Sequence, residues 1–197
     1  MHPTVCTWHG AGNPLATLRE SAASLSPRVA YRIGEWSDFA LAHVGASAAL
    51  LGLVFVGISI NLRDIIGSGS LVHRAAEAVI LLGIVLVTAT VVLIPGQRKD
   101  VLSTELILLG AALFAVVLFL QRDAVTQFPD PGKPGPPRGS IAVRRAFGLG
   151  AAGLIAVAGI TLAAEVGGGL YWWPAAVLVA YIGALTNAWI LLVEILR

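Results

Sequence analysis

Hydrophobic residues along this chain fall in five long blocks that are separated by polar segments. The blocks cover approximately residues 39–60, 75–94, 101–120, 143–164 and 173–196. Each is close to the roughly 20 residues that an α-helix needs to cross the ~30 Å hydrocarbon core of a bilayer. None alternates apolar and polar residues as the strands of membrane barrels do, and only helices or closed barrels satisfy the backbone in lipid. The pattern therefore predicts an all-α fold, an integral membrane bundle of about five transmembrane helices.

The polar segments divide the chain into an N-terminal tail, 1–35, and a five-helix transmembrane domain, 36–197. Within the tail, apolar residues from Leu15 to Val29 recur at roughly helical spacing, so this tail is either disordered or a short interfacial helix. The longest connection, 121–142, is rich in proline and glycine and predicts an extended, solvated linker. A ligand for a partner domain that binds proline-rich segments is the alternative.

The overall composition agrees with the membrane class and excludes several others. Of the 197 residues, 57% are hydrophobic and 12% are charged, against about 25% charged in soluble domains. The net charge of +2 is small and no basic stripe is interleaved with aromatic residues, so nucleic acid is not expected as a partner. Cys6 is the only cysteine, which excludes an intramolecular disulfide and a cysteine-based metal site. The sequence predicts no cofactor, no bound metal, and the lipid bilayer as a partner.

Basic residues near the helix ends predict the orientation in the membrane. One side carries eight of them and the other four. The first set is Arg63, Arg74, Arg122, Lys133, Arg138, Arg144, Arg145 and Arg197, and the second is Arg28, Arg32, Arg98 and Lys99. The excess places the first set in the cytoplasm, with the N-terminus outside and the C-terminus inside a cell (inner) membrane. Trp36, Tyr171, Trp172 and Trp173 then lie at the outer ends, as expected for interfacial aromatic residues.

Polar side chains within lipid are costly, so those near the apolar blocks are the candidates for function. Asp38 and His43 lie in the first turns of the first predicted helix, Glu105 lies near the start of the third, and Glu165 ends the fourth. In the predicted orientation all four approach the outer half of the membrane. A His–Glu pair there could bind a cation or relay protons, because histidine titrates near neutral pH. The alternative is that each side chain reaches water from a helix end and has no further role.

Polar residues on the opposite side have a simpler interpretation. Glu77 and Glu194 lie within about a turn of Arg74 and Arg197, which predicts local charge pairing at the cytoplasmic boundary. Asn187 is the most deeply placed strongly polar side chain, and we expect it to hydrogen-bond to a neighbouring helix as a packing contact. A contact with a substrate is the alternative for Asn187.

Small residues recur at a spacing of four on two predicted helices, and such residues let helix backbones approach closely. They are Ala176, Ala180, Ala184 and Ala188 in the fifth helix and Gly45 and Ala49 in the first. We expect packing faces there, either within the bundle or between protomers. The string Gly148-x-Gly150-x-x-Gly153 matches the dinucleotide fingerprint, but that motif needs a βαβ unit and this string lies inside a predicted span. It predicts close helix packing.

Signatures of catalysis are missing from the sequence. It contains no H-E-x-x-H, no G-x-S-x-G and no P-loop. No segment outside the predicted spans is long enough to form a catalytic domain. The sequence therefore predicts that the protein is not an enzyme.

Two stretches resemble a known group of proteins. They are EWSDFALAHVGASAALLGLVFVGISINLRDI at 35–65 and RAAEAVILLGIVLVTATVVLIPGQ at 74–97. They resemble small actinobacterial multi-pass membrane proteins of unassigned function, some of which are catalogued as modulators of the membrane protease FtsH. The resemblance covers a quarter to a third of the chain. It implies an actinobacterial inner-membrane protein and brings no catalytic residues with it.

A second, shorter resemblance lies at the start of the first predicted helix. Arg32-x-x-x-Trp36-Ser37-Asp38 is similar to the Arg-x-x-x-Phe-Ser-Asp signature of the lysosomal and bacterial potassium channels. In those channels the helix that carries the motif lines the pore. This chain departs from them, because Trp36 replaces Phe, the residues after Asp38 differ, and five spans are predicted where six are expected.

Two hypotheses for function follow. The first is a non-enzymatic membrane protein that acts by association with other membrane proteins or with its own copies, tuning a membrane protease or another complex. The second is an oligomeric cation channel or small transporter that uses the first helix, with Asp38, His43 and Glu105 near the path.

Overall fold

The computed structural model describes residues 29–67, 69–126 and 138–195, and within them it is helical with no strand. The α-helices in these residues are α1 Ser37–Ile60, α2 Leu62–Gly67, α3 Gly69–Val92, α4 Lys99–Thr126, α5 Arg138–Ala164 and α6 Trp172–Ile195. Short 3₁₀ helices, Ile33–Trp36 and Gly169–Tyr171, precede α1 and α6. The predicted all-α class is confirmed.

Five of these helices are long and apolar enough to cross a membrane. The spans are Ile33–Ile60, Leu71–Val92, Lys99–Arg122, Ala142–Ala164 and Gly169–Val193. They coincide with the five predicted apolar blocks, and a helix of this length reaches across the hydrocarbon core at 1.5 Å per residue. The prediction of five spans is confirmed.

The helices extend beyond the apolar blocks at one end of the bundle. α4 continues to Thr126 and α5 begins at Arg138, so helix occupies both flanks of the segment 121–142 that the sequence assigned to a linker. Polar residues end an apolar block without ending a helix, because the backbone hydrogen bonds do not depend on hydropathy. The centre of that segment, 127–137, and the tail residues 1–28 lie outside the described residues.

Four helices form a ring and the fifth spanning helix lies outside it. α3 packs on α4, α4 on α5, α5 on α6, and α6 back on α3. α1 packs chiefly on α3, with the short α2 connecting the two. The buried core runs through the ring and includes Leu82, Leu106, Ile155 and Val177. As a result α1 is the least buried span. In its most apolar stretch 11% of the residues are buried, whereas the other four spans have between 33% and 50% buried.

The interface between α4 and α5 is the tightest in the bundle. A Cβ added at Gly159 would lie 2.7 Å from the Ser103 carbonyl oxygen, and one at Gly110 would lie 2.8 Å from the Ala156 nitrogen. These contacts are with backbone atoms, which cannot move aside as a side chain can. Glycine at both positions therefore sets the separation of the two helices.

Aromatic side chains close one end of the bundle, which we call the aromatic end. Trp36 makes edge contacts with Tyr171, Trp173 and Phe39 at centroid distances of 5.2, 6.5 and 6.0 Å. Trp173 is fully buried and donates from Nε1 to Thr88 Oγ1 at 3.2 Å. Trp36 and Trp173 lie at the predicted ends of their helices, but ring contacts bury both, so neither has the exposure of an interfacial residue. Tyr171 and Trp172 are exposed at 48% and 40%.

The last residues of the predicted tail pack onto this end. Leu170 N donates to Ala30 O at 3.0 Å, and Gly168 N donates to Tyr31 Oη at 3.3 Å. Gly169 has a φ of +51°, and a Cβ there would lie 2.7 Å from Ala30 O. Glycine is needed at this position for both reasons. Residues 29–35 thus belong to the folded domain and not to a free tail.

Candidate functional site

A buried polar cluster joins three helices of the ring near the end opposite the aromatic one, which we call the basic end after Arg74, Arg144 and Arg145. Glu77 on α3 is 4% exposed. Its Oε2 accepts a hydrogen bond from Arg144 Nε on α5 at 2.9 Å and another from Asn187 Nδ2 on α6 at 3.1 Å. The Glu77 carboxylate is thus the point at which α3, α5 and α6 are joined.

The depth of this cluster follows from the positions of its members along the spans. Glu77 lies six residues after the span start at Leu71, and Asn187 lies six residues before the span end at Val193, which is about 9 Å along each helix. A charged group at that depth is expensive without a partner, and a guanidinium–carboxylate pair with an added amide donor offsets the cost.

The sequence identified two of these three residues and missed their relationship. It assigned Glu77 to local pairing with Arg74 and Asn187 to helix packing, whereas the structure places Arg144 and Asn187 on the Glu77 carboxylate. Arg144 fell inside the fourth predicted block, and an arginine within an apolar span was the available signal. Which carboxylate it would reach depends on helix rotation, which the sequence does not give.

One oxygen of the carboxylate is left without a donor. Within the described residues, Glu77 Oε1 is buried and accepts no hydrogen bond from the protein. The Glu77 carboxylate therefore has one oxygen, Oε2, that accepts hydrogen bonds and one buried oxygen, Oε1, that accepts none from the described residues. Such an oxygen is an acceptor for a donor that enters from outside, such as a water molecule.

At the aromatic end, Asp38 and His43 are placed on α1 as predicted, but only His43 is part of the packed structure. Asp38 is exposed in the first turn of the helix. His43 Nδ1 lies 2.7 Å from the Phe39 carbonyl oxygen, and its ring stacks on Tyr181 at 5.8 Å. Because a carbonyl oxygen only accepts, Nδ1 is the donor in this contact and Nε2 is the ring nitrogen left to accept a hydrogen bond.

Glu105 lies on α4 and has its own partners. Gln97 Nε2 donates to Glu105 Oε2, and nearby Lys99 pairs with Glu165 across the α4–α5 boundary. In the described residues no hydrogen bond, ion pair or ring contact joins Glu105 to His43. The structure thus does not bring them together as the His–Glu pair that the sequence suggested.

The residues of the potassium-channel-like string make local contacts at the entrance to α1. Ser37 Oγ donates to Gly34 O at 2.9 Å, and Arg32 lies 3.6 Å from Glu35 in an exposed ion pair. Trp36 is buried in the aromatic cluster. In the described part of the chain, no group of three His, Cys, Asp or Glu side chains could hold a metal ion.

One of the two predicted small-residue faces is buried in the bundle and the other is exposed. Ala176, Ala180 and Ala184 of α6 are buried in the ring, at 1% exposure or less. Ala188, one turn later, is half-buried and lines an apolar groove between α6 and α1. Gly45 and Ala49 of α1 are exposed on the outer surface. The α6 face is thus used within the protomer, and the α1 face is left open.

Comparison of the chain with family models, curated proteins and solved structures gives no match. The class of the protein follows from its fold, a membrane-embedded helical bundle in which four spans form a ring and a fifth lies outside it.

Proposed function

We propose that this protein is a non-enzymatic membrane protein that acts by association through the exposed face of α1, and that its first partner is α1 of a second copy. The observation that carries the proposal is the position of Gly45, Ala49 and Gly52. They are four and three residues apart, which puts them on one face of the helix. All three are exposed.

The open face lies opposite the face that α1 uses within the chain. Ala40 and Ser47, on the other side of the helix, are buried against the bundle. A Cβ added at Gly45 or Gly52 would meet nothing within 4 Å. The small residues on this face therefore have no packing role inside the described protomer.

Larger side chains border the small ones along the same face. Leu41 and Val56 are 62% and 54% exposed and stand before Gly45 and after Gly52. The face therefore has a shallow notch about two turns long with a raised edge at each end. In lipid, association depends on close van der Waals contact, and a notch of glycine and alanine permits it.

The proposal includes the topology and the class of process. The basic end faces the cytoplasm and the aromatic end faces outward in the cell (inner) membrane. The resemblance to proteins catalogued as modulators of a membrane protease suggests that the assembled form meets such a protease. A change in the rate at which FtsH degrades a membrane substrate, on adding the purified chain to proteoliposomes, would test that partner.

The experiment for the association itself is the mass of the protein in a mild detergent, measured by light scattering. We expect a multiple of the 20.4 kDa chain mass for the unaltered protein and the single-chain mass for the double variant Gly45→Leu, Ala49→Leu. Leu108→Phe, exposed on α4, is the matched control and should leave the mass unchanged. An unaltered protein of single-chain mass at all concentrations would overturn the proposal.

A further inference from the structure

A cavity at the basic end opens between three helices beside the buried cluster. Its volume is about 210 Å³ and it lies between α3, α5 and α6. Its polar lining is Arg74, Arg144, Thr186 and Asn187. Apolar residues, among them Val143 and Phe147, form the rest of the wall. The cavity thus combines two guanidinium groups with an apolar surface.

Both charged residues in the lining of the cavity are arginines. Arg74 and Arg144 line it, and the carboxylate of Glu77, which contacts Arg144, is not part of that lining. The Glu77 hydrogen bond uses Nε of Arg144, so the two terminal nitrogens of that guanidinium take no part in it. Arg74 is itself held by an interaction within the chain. Terminal guanidinium nitrogens are the donors that bind phosphate oxygens in pairs.

The two arginines lie near the ends of their apolar spans, from which a long side chain can reach the level of lipid headgroups. Arg74 is three residues and Arg144 two residues inside their apolar spans, which is about 3–5 Å from the span ends. Val143 and Thr186, which line the cavity, are exposed on the outer surface of the bundle. A lipid can therefore enter from the side, with its phosphate at the arginines and an acyl chain along the apolar wall.

We propose that this cavity binds the phosphate of an anionic phospholipid, with Arg144 and Arg74 on the phosphate oxygens and Val143 and Phe147 against the acyl chain. Basic pockets between membrane helices are a recurring form of lipid recognition. Inorganic phosphate shares the headgroup chemistry but lacks the acyl chain. The carboxylate of Glu77 keeps the phosphate at the rim of the cavity and out of the helix interface.

The test is native mass spectrometry of the detergent-solubilised full chain, titrated separately with phosphatidylglycerol, phosphatidylcholine and inorganic phosphate. We expect saturable binding of one phosphatidylglycerol, and binding about fivefold weaker in Arg74→Gln. Arg145→Gln removes an exposed charge of the same end that does not line the cavity, and it should leave binding unchanged. Val143→Trp, which narrows the cavity without altering charge, should also weaken binding and keeps the test open if Arg74→Gln fails to fold.

Three results would overturn the proposal. Equal binding of phosphatidylcholine would remove the requirement for an anion. If Arg74→Gln and Arg145→Gln weakened the binding of phosphatidylglycerol equally, the lipid would be attracted to the basic end as a whole and not to the cavity. Binding of inorganic phosphate as strong as that of phosphatidylglycerol would assign the arginines to a soluble anion.

Discussion

Arg144 on α5 and Glu77 on α3 are joined by a hydrogen bond of 2.9 Å although 67 residues separate them in the sequence. Asn187 donates to the same oxygen from α6. Three of the four ring helices therefore meet on one carboxylate group, about two turns inside the bundle. These hydrogen bonds determine which helices are neighbours and also how each is rotated about its own axis, because both donors must point at the same oxygen atom.

The energetic importance of this cluster can be measured with a double-mutant cycle. Glu77→Leu and Arg144→Leu should each lower the free energy of unfolding by about 3–5 kcal/mol, because each leaves a buried charge without its partner. The double variant should lose clearly less than the sum of the two. Unfolding in mixed micelles with increasing SDS, followed by circular dichroism, gives the values.

The control for that cycle is Arg145→Leu, which removes the neighbouring exposed arginine and should change stability by no more than about 0.5 kcal/mol. Additive losses in the double variant would contradict the account, since they would mean that the two side chains do not depend on each other.

Close packing between α4 and α5 predicts a contrast between two glycines of the same helix. Gly159→Ala places a methyl group against the Ser103 carbonyl oxygen at 2.7 Å and should cost about 1–3 kcal/mol as the helices move apart. Gly153→Ala has nothing within 4 Å and should be neutral or slightly stabilising, because alanine favours a helix over glycine. The SDS titration compares the two, and equal losses would show that contact with the Ser103 carbonyl oxygen does not account for the cost of Gly159→Ala.

The proposed topology can be read with reporters fused to the C-terminus. We expect a green fluorescent protein fusion to fluoresce and an alkaline phosphatase fusion to be inactive, because the end of the chain lies on the side with more arginine and lysine. The same two reporters fused after Gly96, in the turn between α3 and α4, should behave the other way. The alkaline phosphatase should be active and the green fluorescent protein should not fluoresce. An active phosphatase at the C-terminus would reverse the orientation and place the arginine-lined cavity in the outer leaflet.

The five spans were predictable from hydropathy alone because lipid imposes a length and an apolar composition on each helix. Hydropathy could not predict which helices pack against each other. Glycine is common throughout the chain, so nothing in the sequence distinguishes Gly159, which touches a backbone oxygen, from Gly153, which touches nothing. The difference comes from the rotation and crossing of α4 and α5.

For the candidate residues too, hydropathy predicts the depth of a side chain in the membrane, whereas helix packing determines its partners. The depth of Asn187 within its predicted span was enough to predict that its side chain hydrogen-bonds to a neighbouring helix. His43 and Glu105 were linked because both lay at a similar level of the membrane. That level is shared by every helix, so it carries no information on distance within the plane, and each residue has separate partners in the structure.

Association through α1 is tested most directly by cysteine cross-linking in native membranes. Gly45→Cys and Leu108→Cys, each in a Cys6→Ser background, place single thiols on exposed surfaces of α1 and α4 at a similar depth. We predict a disulfide-linked dimer of the chain for Gly45→Cys on mild oxidation, and little or none for Leu108→Cys. Equal yields at the two positions, or no dimer at Gly45→Cys, would contradict the account.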